Sequence, residues 1–112
     1  MSHRKLLIIG SLAFIGLTTV TVVHALDEEA TLALMKKSNC FKCHAVDKQK
    51  VGPAFKNVAK KYQGNADAEQ KLYTHLTISP KDKIDAKEGQ HEVLKTKNEA
   101  DVRSVVKWIL AR

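Results

Sequence analysis

Both cysteines of the chain and one of its five histidines lie within five consecutive positions, Cys40 to His44. In this Cys-x-x-Cys-His run the two thiols are three positions apart, so one helical turn or tight bend brings them together. Each thiol can add to a vinyl group of a porphyrin, and the adjoining imidazole can then bind the iron. The run is the signature of covalent c-type haem attachment. We therefore predict that Cys40 and Cys43 hold one haem c through thioethers and that His44 is an iron ligand.

The first 25 residues have the pattern of a secretory leader. Arg4 and Lys5 precede residues 6–23, an uncharged apolar stretch of 18 residues, and a small-x-Ala cleavage pattern ends at Ala25. Cleavage there leaves residues 26–112 as one monohaem domain. The apolar stretch also reaches the lower limit of the about 17 to 25 residues that span a bilayer, so a retained membrane anchor is the alternative. We expect export to the periplasm.

The chain after the leader is basic. Two of the 19 Lys and Arg residues precede the apolar stretch. The other 17, with the 12 Asp and Glu residues, give the chain after the leader a formal net charge of +5. Such a surface suits nucleic acid, anionic lipid or an acidic protein. An exported chain rarely meets nucleic acid, and contact with a membrane would require the leader to be retained. The charge therefore favours an acidic redox protein as the partner of a chain that we expect to be a monomer.

Two nearby cysteines in an exported chain have other uses. They can form a disulfide, whereas a thioredoxin-like redox pair needs a preceding strand in a βαβ setting. Residues 28–38 have a helical pattern instead, and no strand-like alternation follows. A zinc site would need two more ligands at finger-like spacing, and only scattered histidines remain. The surrounding pattern favours haem attachment over these alternatives.

Four helices are expected after the leader, over about 28–39, 54–62, 67–77 and 98–111. Acidic residues open the first helix, where they suit a helix N-terminus. Pro53 opens the second, because its missing N–H costs nothing at the first helical position. Leu72 and Leu76 are the buried face of the third. Asn98, a good N-cap, starts the last.

Residues 79–97 lack a sustained period and contain one Pro and one Gly. This connection of roughly 19 residues is longer than most, which indicates a functional loop, and it contains His91. Met35 offers a thioether, a common axial ligand of haem iron. It stands only five positions before Cys40, too close to reach the opposite face of the haem easily, and its spacing from Leu32 indicates a core residue.

The order of these features resembles the small bacterial class I cytochromes c of the c8 or c-551 type, which are periplasmic electron carriers. The haem motif alone is shared by many proteins, but the whole set, over about 28–111, is specific. The matching segments are the Cys40–His44 run after a short helix, Val51-Gly52-Pro53-Ala54-Phe55, Val58-Ala59-Lys60-Lys61-Tyr62, the helix from Ala68-Glu69 to Leu76, and Lys107-Trp108-Ile109-Leu110. The resemblance implies an all-α fold in which about four helices wrap one covalently bound haem.

The resemblance also implies roles for single residues. The carbonyl of Pro53 would accept the second N–H of the His44 imidazole, which fixes the tautomer and orientation of that ring. Trp108 and Met35 would lie where the first and last helices cross. His75 stands where family members often place an Arg or His near a haem propionate; the alternative is a partly exposed helix histidine.

One ligand of that family is missing from this chain. Its members usually have a Met in the loop before the last helix, whereas this chain has only Met1 and Met35. His91, 47 residues after His44, stands about where that Met would be, and we predict that it binds the iron on the distal side. The alternatives are five-coordinate iron or a lysine ligand such as Lys87. Imidazole is the commoner ligand, and lysines hold their proton near neutral pH.

These features predict a periplasmic cytochrome that carries single electrons by ferrous/ferric cycling. A Met ligand raises the potential of haem iron, so bis-His ligation should give a lower midpoint than that of His/Met relatives. Candidate docking residues around the haem edge are Lys42, Lys48, Lys50, Lys56, Lys60 and Lys61. The alternatives are a gas-binding haem domain with an open or labile distal site, and the electron-transfer subunit of an oxidoreductase. Independent enzyme activity is not expected, since no catalytic triad, phosphate loop or second metal site has recognisable spacing.

Overall fold

The computed structural model describes residues 21–78, 81–84 and 87–112, and it describes side chains for 27–78 and 91–112. Most of the predicted leader, 1–20, lies outside these ranges. Within them the elements are α1 (Thr21–Lys37), α2 (Cys40–Cys43), α3 (Phe55–Tyr62), α4 (Ala68–Ile78), β1 (Lys81–Ile84), β2 (Lys87–Gln90) and α5 (Glu99–Leu110). The predicted all-α class is confirmed, since four longer helices form the fold.

Two helix starts differ from the sequence-based expectation. α1 begins at Thr21 rather than near 28 and therefore crosses the predicted cleavage point after Ala25, where cleavage stays a prediction. Pro53 does not open α3: Ala54 is its N-cap and Phe55 its first residue. Pro53 thus remains in an extended approach to the helix, where its carbonyl is available to a side chain instead of a helical N–H.

The short element α2 is the haem motif itself. Asn39, which separates it from α1, has a left-handed backbone with φ of 63°. The N–H groups of Ser38 and Asn39 donate to the carbonyls of Leu34 and Lys36, at 2.9 and 3.0 Å, and so close the last turn of α1. Asn tolerates the left-handed region better than most residues, and it commonly ends a helix in this way.

A hairpin occupies part of the segment that was expected to be an irregular loop. β1 and β2 pair antiparallel, with Lys81 opposite Gln90 and Ile84 opposite Lys87. The pairing satisfies backbone groups of the long connection between α4 and α5. His91 follows β2 directly, so the hairpin returns the chain to the domain at this residue.

α5 packs against α1, α3 and α4 and is the centre of the core. Its apolar stripe recurs at the 3.6-residue period of an amphipathic helix and is buried, with Val105 fully enclosed; the other members are Val102, Val106 and Ile109. Met35 on α1 is also fully buried, and Leu72 and Leu76 are the buried face of α4, as predicted. The side chain of Asn98 accepts a hydrogen bond from the N–H of Ala100 and caps α5.

The two terminal helices are joined at Trp108. Its indole is nearly buried, within the same apolar core as Met35, and its Nε1–H donates to a carboxylate oxygen of Glu28 at 3.2 Å. A buried indole usually finds such a partner for its single polar atom. α1 therefore packs on α5 through a large apolar contact that carries one polar link.

In the part of the chain that the structure describes, none of the helices combines the length and the apolar content needed to cross a membrane.

Candidate haem site

The two thiols of the motif are held on the single turn of α2. The turn is closed by a 2.9 Å hydrogen bond from the N–H of His44 to the carbonyl of Cys40, and both cysteines are half-buried. Burial raises the pKa of the Cys40 thiol, and the carboxylate of Glu92 adds to the rise. Near neutral pH Cys40, the first residue of the motif, therefore keeps its thiol proton. It lies at the edge of the core.

The imidazole of His44 is fixed by the residue that the resemblance pointed to. Its Nδ1 lies 2.7 Å from the carbonyl oxygen of Pro53. A carbonyl only accepts, so Nδ1 carries the proton and the lone pair of Nε2 is left for a metal. Burial lowers the pKa of His44, against the opposing effect of the Pro53 hydrogen bond. The net lowering of the pKa and the proton on Nδ1 both fit a neutral imidazole ligand.

Gly52 makes room for this ring. A Cβ at position 52 would lie 2.7 Å from Nδ1 and 2.9 Å from Nε2 of His44, and closer still to Cε1. These distances are far inside van der Waals contact. The backbone of Gly52 is held there by its N–H, which donates to the carbonyl of Cys43 at 2.8 Å. The turn 51–53 thus forms one wall of the His44 pocket.

Aromatic rings connect His44 to the core. Phe55 stacks on His44 with ring centres 5.1 Å apart and planes 24° apart. Phe55 in turn meets Trp108 edge to face at 5.4 Å, and Phe41 of the motif meets Trp108 at 6.4 Å. Edge-to-face pairs at such distances are favourable. The orientation of His44 is therefore tied to α3 and α5, not only to its own loop.

The fold brings three histidines together. The ring centre of His91 lies 5.9 Å from that of His44 and 4.3 Å from that of His75. Two imidazoles on opposite sides of one metal, each with a metal–nitrogen bond of about 2 Å, have ring centres roughly 6 Å apart. The separation of His44 and His91 fits such a pair. The residues present therefore fit a haem held by Cys40 and Cys43 with an imidazole on each side.

The segment that follows His91 is tied to two other parts of the chain. The backbone of Leu94 donates to the carbonyl of Leu76 on α4 at 2.9 Å. Two further hydrogen bonds reach the junction of α1 and α2: Lys95 N–H to Ser38 Oγ at 2.9 Å, and Asn39 Nδ2 to Glu92 Oε2 at 3.1 Å. His91 is consequently next to a fixed stretch of backbone.

Other predicted residues have the following places. His75 lies on α4 beside His91, and its contact with a haem propionate stays a prediction. Met35 is fully buried in the core, beneath the α1–α5 contact. Met1 and the side chain of Lys87 lie outside the described residues. The six candidate docking lysines are exposed; Lys56 forms an ion pair with Asp47, and Lys50 donates to the carbonyl of Phe41 at 2.8 Å.

Sequence reasoning missed three contributors to this site. The sequence indicates only a turn at Gly52 and only the end of the first helix at Ser38 and Asn39. Asn39 carried one usable signal, because Asn between a helix and a new turn is typical of a left-handed residue. The contact of Ser38 with Lys95 spans 57 positions, and nothing in the local sequence of either residue indicates it.

A family model described as "Cytochrome c" matches residues 29–112. Among curated proteins, the chain is 34% identical over 84 residues to cytochrome c-551 of Allochromatium vinosum, covering 72% of this chain and 84% of that protein. It is 36% identical over 84 residues to cytochrome c-552 of Nitrosomonas europaea, covering 73% and 78%.

Solved structures agree. The class 1 cytochrome MtoD of Sideroxydans lithotrophicus ES-1 superposes with a TM-score of 0.72 at 45% identity, covering 76% of this chain and 95% of that one. Wild-type cytochrome c552 of Nitrosomonas europaea superposes with a TM-score of 0.57 at 30% identity, covering 71% and 96%. The resemblance to class I c-type cytochromes and the single covalent haem c are confirmed. With its Cys40–His44 motif and its helical fold, the chain belongs to the cytochrome c family.

Proposed function

We propose that this protein is an exported monohaem electron carrier whose iron is bound by His44 on one side and His91 on the other. Membership of the family supports electron transfer by one haem. The ligand pair is supported by one observation, the 5.9 Å between the ring centres of His44 and His91. Export is supported by the leader pattern of the first 25 residues.

The residues of the chain have distinct tasks in this function. The haem, when bound, supplies a one-electron ferric/ferrous couple. Pro53 holds the proton of His44 on Nδ1, so that Nε2 is the ligand atom and the ring keeps one orientation. Phe55, with the core behind it, covers one face of the His44 ring, which limits solvent access on that face and so helps to set the potential.

The choice of distal ligand sets the driving force available to the carrier. A thioether raises the potential of haem iron. Imidazole donates more electron density and stabilises ferric iron, so a His44–His91 pair gives a lower midpoint potential than the His/Met pair of relatives. The protein would accept electrons from correspondingly stronger reductants and pass them to acceptors of intermediate potential.

The test is a visible and EPR spectrum of the ferric holoprotein, with a redox titration, for the wild type and two variants. We expect a low-spin wild type, a high-spin His91→Ala and a low-spin His75→Ala. His75 is the matched control because its ring lies beside that of His91. An unchanged spectrum and potential in His91→Ala would exclude His91 as the ligand. A high-spin wild type that binds carbon monoxide rapidly when reduced would favour a gas-binding haem domain instead.

The partner in this function is an acidic redox protein. The net positive charge and the exposed lysines near the motif suit a weak, fast complex that is steered by charge. A freely diffusing monomeric carrier is expected to purify alone from its native host. Recovery in a stable complex with a larger redox protein would make it the electron-transfer subunit of an oxidoreductase.

A further inference from the structure

Two hydrogen bonds connect the residues just before the haem motif with the residues just after His91. Ser38 Oγ accepts from the backbone N–H of Lys95 at 2.9 Å. The amide Nδ2 of Asn39 donates to Oε2 of Glu92 at 3.1 Å. Ser38 and Asn39 immediately precede Cys40, and Glu92 immediately follows His91. The junction of α1 and α2 therefore leads into the turn that ends at His44. The same junction also holds the segment that follows His91.

We propose that Ser38 and Asn39 are positioning residues for the distal ligand: they hold segment 91–95 at the start of the haem motif and keep the His91 imidazole on the iron. This inference rests on the proposed role of His91 as a ligand. It also explains how His91, which lies in the long connection between α4 and α5, can be a stable ligand. The two residues that hold it lie outside that connection, between α1 and α2.

The Ser38 anchor is the stronger of the two. Its side chain is only 2% exposed, and the bond that it accepts comes from a backbone N–H. Replacing Ser38 by Ala would remove the acceptor from a partly buried hydrogen bond, which costs more than the loss of an exposed one. The backbone of segment 91–95 would then gain freedom to move away from α1.

The Asn39 anchor is exposed and can be removed with little change to the backbone. Asn39 has φ of 63° and ψ of 16°, which glycine adopts without strain. An Asn39→Gly variant therefore keeps the turn between α1 and α2 and removes only the amide that bonds Glu92. A change in this variant therefore reports the loss of the Asn39–Glu92 hydrogen bond and not a change in the turn.

α1 offers a matched control for Ser38. Thr31 is also a buried polar residue, 6% exposed, and its hydroxyl donates to the carbonyl of Asp27 within the same helix at 2.7 Å. Thr31→Ala removes a buried hydroxyl from within α1, whereas Ser38→Ala removes one just after the end of that helix. Only the second substitution touches segment 91–95. A general loosening of α1 would affect both variants, whereas release of His91 would affect only Ser38→Ala.

The experiment measures carbon monoxide binding to the reduced holoprotein by rapid mixing. Carbon monoxide must displace the distal ligand, so its binding rate reports how often His91 leaves the iron. We expect the rate to rise about tenfold in Ser38→Ala and about threefold in Asn39→Gly, the sizes that loss of a partly buried and of an exposed hydrogen bond implies. Thr31→Ala should bind at the wild-type rate. If Ser38→Ala yields no holoprotein, Asn39→Gly carries the test.

The outcomes separate this inference from the proposed function. Equal rates in Ser38→Ala, Asn39→Gly and Thr31→Ala would overturn the anchoring role, provided that His91→Ala binds carbon monoxide much faster than the wild type. If His91→Ala binds no faster than the wild type, His91 is not the ligand and both proposals fail. Faster binding in Ser38→Ala and Asn39→Gly alone supports the inference, and a partly high-spin ferric spectrum of Ser38→Ala would support it further.

Discussion

The backbone of Gly52 lies directly against the imidazole of His44, so closely that a methyl group at position 52 would overlap Nδ1, Cε1 and Nε2 of the ring. The same ring is held on its other sides by the Pro53 carbonyl and by Phe55. A Cβ at position 52 would therefore push the ring against contacts that fix its orientation. Gly52 is therefore required by the geometry of a neighbouring side chain and not by its own backbone angles.

Gly52→Ala should displace His44. We expect a lower ratio of haem absorbance to protein and an altered ferric spectrum, because the ring must leave the position set by Pro53. Gly64→Ala is the control: Gly64 has φ of 75°, and among the described residues no atom lies within 4 Å of its would-be Cβ. It should cost about 1 to 2 kcal/mol of unfolding free energy and leave the spectrum unchanged. A wild-type spectrum in Gly52→Ala would contradict this account of the pocket.

Trp108 should be a major contributor to stability through the contact of α1 with α5. Trp108→Ala removes a buried indole and is expected to lower the unfolding free energy by about 3 to 5 kcal/mol. Trp108→Phe keeps an aromatic ring and loses the Glu28 hydrogen bond, so its loss should be smaller. Denaturant titration of the holoproteins measures both values.

Glu28→Gln refines that measurement. It retains an oxygen that can accept from the indole, and the hydrogen bond is only partly buried, so we expect a change of no more than about 1 kcal/mol. If Trp108→Phe and Trp108→Ala were equally destabilising, the polar link would matter more than the packing, in conflict with the burial of the ring.

Charge should control the rate at which the protein meets its redox partner. With an acidic partner protein, the electron-transfer rate constant of the wild type should fall by about tenfold or more from low to high ionic strength, because salt screens the steering. Lys42→Glu and Lys60→Glu should lower the rate at low salt and flatten this dependence. Stopped-flow mixing measures both quantities.

The control for these variants is Lys71→Glu, an equal charge change at an exposed lysine of α4 that is not among the six candidates. An equal effect of all three variants would assign steering to net charge alone. A rate that does not change with salt in the wild type would remove charge from the docking of this protein altogether.

Features that depend on neighbouring residues were predictable. The helical period located the buried stripe of α5, the preference of Asn for the N-cap marked its start, and Leu72 and Leu76 identified the inner face of α4. The boundaries were less accurate. α1 includes residues 21–27, ahead of the expected start near 28, and α3 begins at Phe55, two positions after Pro53.

Features that depend on distant residues were not predictable in the same way. The proximity of His75 to His91 depends on how the chain returns from α4 to the domain. The hairpin of β1 and β2 was missed for a different reason: its pairing is local, but its residues have no alternating apolar pattern. The resemblance to a known family supplied the Pro53 contact in advance, although the local sequence alone did not.

The sequence by itself determined the chemistry of attachment, because Cys40, Cys43 and His44 are brought together by a single turn whatever the rest of the chain does. It also determined which faces of the helices are apolar. Only the tertiary structure decided which distant residues lie near His44. The ring centres of His44 and His91 are 5.9 Å apart because α5 packs on α1 and α4, which returns the connection between α4 and α5 to the haem motif, and the Ser38–Lys95 hydrogen bond forms at that return. Such a contact depends on the path of the whole chain, which cannot be deduced from a short stretch of residues.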